Sequence, residues 1–168
     1  LDNSVGVYIH GAAESMVREN KIVGEATLRV NERGNGVTVW NAPGAQVVDN
    51  DISKGRDGIF SNTSTNNTYK GNRFSDLRFA VHYMYTNDSE ISNNISVGNN
   101  MGYVLMFSER LKVYGNIAVG SRDQGIMLNY VNYSDINDNI INKAGKCVFA
   151  YNANFNKIFD NHFENCQI

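Results

Sequence analysis

Asparagine returns along this chain with a fixed period, at Asn20, Asn50, Asn72, Asn94, Asn116, Asn139 and Asn161. The steps are 30, 22, 22, 22, 23 and 22 residues. Fourteen positions before each asparagine stands a small residue: Gly6, Gly36, Gly58, Ala80, Gly102, Gly125 and Cys147. Three positions before each stands an apolar or aromatic one: Val17, Val47, Tyr69, Ile91, Val113, Ile136 and Ile158. Three columns held in phase over seven units are the mark of a repeat architecture, in which each unit buries its inner face only against its neighbours.

The residues after the small column alternate, as in GVYIH, GVTVW, AVHYM, GYVLM and GIMLN. Period two means a strand with two faces, and no helical periodicity competes with it. About three short strands per 22 residues predict an all-β fold, a right-handed single-stranded parallel β-helix of about seven coils. Stacked at about 4.8 Å per coil it would be roughly 34 Å long. The pairs Val7/Ile9, Val37/Val39, Ile59/Ser61, Val81/Tyr83, Tyr103/Leu105, Ile126/Leu128 and Val148/Ala150 are expected to point inward. The asparagine column reads as a ladder at a turn, its amides bonded along the stack.

Composition supports turns punctuating strands rather than disorder. The chain carries 26 Asn and 15 Gly against one Pro, yet 42% of it is hydrophobic, enough for a core. A net charge of −2 argues against nucleic-acid binding. No apolar run approaches the roughly 20 residues of a membrane span. The amino terminus, LDNSVGVYIH, has no basic-then-apolar signal pattern, as either a cleaved signal or a trimmed chain would leave it. Residues 1–168 read as one β-helix domain, part of a longer solenoid, with eight extra residues forming a loop around 24–35. Cys147 and Cys166 are far from CxxC spacing and sit at different phases, so neither a thiolate metal site nor a disulfide is expected.

With positions one and three of the strand inward, positions two and four face out. That face carries Trp40, Phe60, His82, Met84, Val104, Met106, Met127, Phe149 and Tyr151, an apolar strip where solvent would favour Thr, Lys or Ser. Met84 and Met106 share a column on consecutive coils, and His82 is two residues before Met84. Thioether and imidazole donors without carboxylate suit Cu(I) and are poor for Mg²⁺ or Ca²⁺. The strip is therefore a transient Cu(I) site using His82, Met84 and Met106, with Met127 in reserve, or an adaptable protein-docking patch lined by Phe60, Trp40, Val104, Phe149 and Tyr151. From residues alone the docking patch is the simpler reading. Tyr85, Phe107 and Tyr130 form a further column that reads as an aromatic ladder at a corner.

Arg56, Arg78 and Arg122 also recur in phase, two of them followed by Asp57 and Asp123. Such a row would grip an anionic sugar or phosphate, or the aspartates would pair with the arginines and pin the turns; the second is preferred. Parallel β-helices that act as uronan lyases or epimerases need an acid, a base and charge stabilisation converging on one sheet. The acidic residues Asp76, Asp88, Glu90 and Glu109 are scattered through turns, His162 joins no cluster, and fold alone confers no activity. A polysaccharide-active enzyme and a purely structural rod stand as alternatives to a non-enzymatic binding protein.

The segments GRDGIF (55–60), DLRFAVHYMYTNDS (76–89), GYVLMFSERLKVYGN (102–116) and RDQGIMLNY (122–130) closely resemble the nitrous-oxide reductase maturation family NosD. The resemblance spans most of the chain; HYMYTNDS is its specific part, since the Gly and Asn columns occur in any such repeat. It implies a periplasmic accessory protein, in a chain about twice this long, that works with an ABC transporter and a copper-chaperone lipoprotein to mature the copper centres of nitrous-oxide reductase. It does not assign the residues that touch copper; His82, Met84 and Met106 follow from strand parity.

Overall fold

The computed structural model describes residues 5–168. Every coil contributes one strand to each of three seven-stranded sheets, all parallel and in sequence order. Strands of the first sheet, such as Phe79–Met84 and Met101–Glu109, are the longest. Those of the other two, such as Glu90–Ser92 and Ile95–Val97, have three residues each. Among the described residues no helix forms, and the expected parallel β-solenoid of stacked coils is what the chain builds.

The core is axial. Val37, Val39, Ile59, Val81, Tyr83, Tyr103, Leu105, Ile126 and Leu128, the inward pairs of coils 2 to 6 apart from the polar Ser61, are all sealed from solvent. The second sheet adds Val47, Tyr69, Ile91, Val113 and Ile136, and the third Ile52, Phe74, Ala118 and Ile141. The small column follows from this packing. A side chain at Gly36, Gly58 or Gly125 would run into Ile52, Phe74 or Ile141, each sixteen residues on, whose side chain fills the space beneath the first strand. Ala80 replaces glycine in the coil whose corresponding residue is the smaller Ser96.

The asparagine ladder is continuous. The Oδ1 of Asn50, Asn72, Asn94, Asn116, Asn139 and Asn161 each accepts the backbone N–H and the side-chain amide of the asparagine one coil earlier, at 2.9–3.1 Å. Corners are turned with left-handed backbone. Tyr85, Phe107 and Tyr130 take φ of 53°, 49° and 53°, costing roughly 1–2 kcal/mol per residue. Their rings stack at 5.2 and 5.3 Å along the corner, which offsets part of that strain.

The cysteines correct the sequence expectation. Cys147 and Cys166 form a disulfide with their Cα atoms 5.6 Å apart. Nineteen residues carry the chain almost once around the 22-residue circuit, so the last coil returns beside its own start. Between the strands Lys21–Val23 and Val37–Trp40 the longer first coil makes a strandless excursion. Arg33 folds it back, donating to the carbonyls of Ala26 and Leu28 and meeting the Asp76 carboxylate at 3.3 Å two coils away.

Candidate functional site

In the first sheet His82 lies in register between Phe60 and Val104, and Met84 between Asn62 and Met106. Parity puts Val81 and Tyr83 in the core and leaves His82 and Met84 on the opposite face. That face is not as open as alternation implies. His82 is only 9% exposed and Val104 1%. Val104, expected on a docking surface, is shielded by its column neighbours His82 and Met127. His82 is packed by the rings of Phe60 and Phe79, at 5.1 and 5.2 Å, while the Arg78 guanidinium lies 4.3 Å over Phe79. Large side chains 4.8 Å apart in a column roof one another, so pointing outward does not mean meeting water.

Asp57 organises the site. Its carboxylate accepts Arg78 Nε and Nη2 at 2.8 and 2.6 Å and His82 Nδ1 at 3.0 Å, while its backbone N–H donates to Asn35 Oδ1 at 3.3 Å. Burial alone would raise the Asp57 pKa. The hydrogen bonds from His82 and Arg78, with the Arg78 charge, outweigh it and hold the group below its ordinary value. An ionised carboxylate only accepts, so Nδ1 carries the ring proton, and in the neutral ring Nε2 keeps its lone pair. That Nε2 is buried and has no partner. A carboxylate behind a histidine with a free Nε2 is the support that metal-binding imidazoles use.

His82 and Met84 line a cavity of about 270 Å³ together with Asn35, Arg56, Asp57, Phe60 and Arg78. Met84 and Met106 are cross-strand partners on adjacent coils, both half-buried rather than sealed. Met127 pairs with Val104, two coils from His82 and one coil beyond Met106. Among the described residues no three His, Cys, Asp or Glu side chains converge on a metal position. The cavity wall holds one imidazole and one thioether, His82 and Met84, and a second thioether, Met106, lies in register with Met84 on the next coil; such donors suit a soft monovalent ion.

The rest of the strip is split. Trp40 and Tyr151 are 44% and 53% exposed, whereas Phe60 and Phe149 are half-buried. The arginine row is split too: Arg78 is tied to Asp57, and the exposed Arg122 to its half-buried neighbour Asp123 at 2.8 Å. Arg56 has no side-chain hydrogen bond or ion pair among the described residues, and its Nε is buried without a partner. Sequence reasoning grouped Asp57 with the arginines and missed it as the partner of His82. Asn35, at the end of the 24–35 excursion, was missed altogether. The signal for Asp57 lay in the repeat, which starts the neighbouring strand at this residue, in register with Phe79.

The family model described as periplasmic copper-binding protein (NosD) matches residues 18–168. The chain is 35% identical over 174 residues to a probable ABC transporter binding protein NosD of Stutzerimonas stutzeri, covering 95% of this chain and 40% of that protein. It is 34% identical over 172 residues to the protein of the same name from Pseudomonas aeruginosa, covering 94% and 40%. It thus spans about two fifths of the length of these curated relatives. The Streptococcus pneumoniae surface protein and adhesin PfbA superposes at TM-score 0.33 and 6% identity, over 90% of this chain and 49% of that one, too distantly to bear on fold or function. With the family model matched from residue 18 to residue 168 and a third of the residues shared with each relative, the chain belongs to the NosD family.

Proposed function

We propose that this chain is a periplasmic, non-enzymatic accessory segment that takes up Cu(I) at His82, Met84 and Met106 and passes it on during maturation of nitrous-oxide reductase. The observation that carries the reading is the unpartnered His82 Nε2, buried in the cavity that Met84 also lines and backed by Asp57. The family's description as periplasmic and copper-binding supports it, as does the disulfide, which belongs to oxidising compartments. Each residue has a part. Asp57 fixes the ring and its tautomer, Phe60 and Phe79 keep water from the imidazole, and the thioethers supply soft donors that yield readily to exchange. The exposed Trp40 and Tyr151, with Phe149, flank the site as a docking surface for the copper-chaperone lipoprotein or the reductase. The relatives' name supports a transporter partner. Met127 serves as a reserve ligand one coil beyond Met106.

Anaerobic titration with Cu(I) against a competing chelator tests this. The wild type should bind one equivalent, and Met84→Leu/Met106→Leu and His82→Gln should each weaken binding by at least about tenfold. A wild-type chain that leaves all Cu(I) on a chelator of moderate affinity removes the proposal.

A further inference from the structure

We infer that Cu(I) occupies this cavity together with a soft anionic co-ligand, and that Arg56 holds the anion. The inference rests on the copper reading of His82 and adds the chemical form of the cargo. Two buried polar atoms of cavity-lining residues lack any partner, His82 Nε2 and Arg56 Nε. Their needs are opposite: the first offers a lone pair, the second an N–H. Water alone would serve either, but a bare cation would satisfy only the histidine and leave the arginine orphaned. A metal–anion pair satisfies both.

Charge leads to the same ligand. The cavity wall carries Arg56 and Arg78 against Asp57, two positive charges and one negative, a formal net of +1. Asp57 is committed to Arg78 and His82, so it does not neutralise Arg56. Cu(I) bound by imidazole and thioethers, which are neutral donors, would raise the net to +2 beside the buried Asp57 and His82. Uncompensated charge in such surroundings is strongly disfavoured. One monoanion restores the original balance. Because it must also bind Cu(I), it is a soft single-atom donor, a halide or a thiolate sulfur. Arg56 is placed to receive it: its backbone N–H is tied to Gly34 and its carbonyl to Arg78, which anchors the residue between the 24–35 excursion and the neighbouring coil.

The test measures Cu(I) affinity of the full chain with free Cu(I) clamped by a chelator, in perchlorate buffer alone, with chloride, or with N-acetylcysteine. Wild-type affinity should rise about tenfold or more with the anion, the worth of a charge-assisted hydrogen bond. X-ray absorption should show a chloride or sulfur scatterer from the added anion. Arg56→Gln should lose the rise, and without anion it should bind Cu(I) more tightly than wild type, because an uncompensated positive charge is gone. A purely structural arginine would produce neither change. A rise with chloride identifies a free anion, and a rise with the thiol alone identifies a cysteine supplied by a partner. Wild-type binding that ignores both anions, or a rise that persists in Arg56→Gln, overturns the inference and leaves the copper reading standing. No Cu(I) binding in any buffer overturns both.

Discussion

Asp57 ties three separate stretches of chain: Asn35 from the long first coil, Arg78 at the end of the third, and His82 in the fourth. Replacing it with Asn keeps the shape and one acceptor but leaves Arg78 without its counter-charge. We expect Asp57→Asn to cost about 3 kcal/mol in chemical denaturation, the low end for a broken buried pair because Arg78 keeps some solvent contact. The same variant should weaken Cu(I) binding about 10- to 100-fold, since the imidazole loses the group that orients it. If stability falls while copper affinity holds, Asp57 is a structural residue and not a support for His82. Parity made the direction of His82 readable from the sequence, but not its cover. That depends on which rotamers Phe60, Phe79 and Arg78 adopt, and alternation says nothing about rotamers.

At the scale of elements, the asparagine ladder does what a turn sequence alone would not. Asn94 accepts the backbone and side-chain amides of Asn72 and donates to the Tyr69 carbonyl and to Asn116 Oδ1, four bonds sealed from water. Asn94→Ala should lose about 3 kcal/mol, because the buried groups left behind have no water to turn to. Asn161→Ala, at the exposed end of the same ladder, should lose only about 1 kcal/mol. Equal losses measured by guanidinium unfolding would show that the ladder acts locally, without regard to burial. This element was legible because its period is strict and its chemistry is the same in every coil. The left-handed aromatic corner was legible only as a column: Tyr85, Phe107 and Tyr130 are types that rarely take positive φ, and nothing in their identity announces it.

For the whole molecule, stability in a solenoid is a sum over neighbouring coils. The disulfide closes the last coil on itself, so its effect should stay there. Cys147→Ser/Cys166→Ser should cost about 3 kcal/mol for a loop of 19 residues in the chain-entropy account. Amide exchange should quicken around 146–164 while strands near His82 keep their protection. Loss of protection throughout would mean that the coils melt as one unit. The pairing is not legible in the repeat phases, which run along a line, whereas the two cysteines meet around a loop. The global architecture was readable from three columns, while the cavity was not: Asn35 reaches it from the one stretch that breaks the period.

Every coil shares its register with the next, so 22-residue units inserted on either flank would slide the cavity along the axis without altering its walls. The distance from the His82 cavity to either end of the rod is then a whole number of coils, a reach that gene duplication can lengthen in steps of about 4.8 Å while the cavity walls stay untouched.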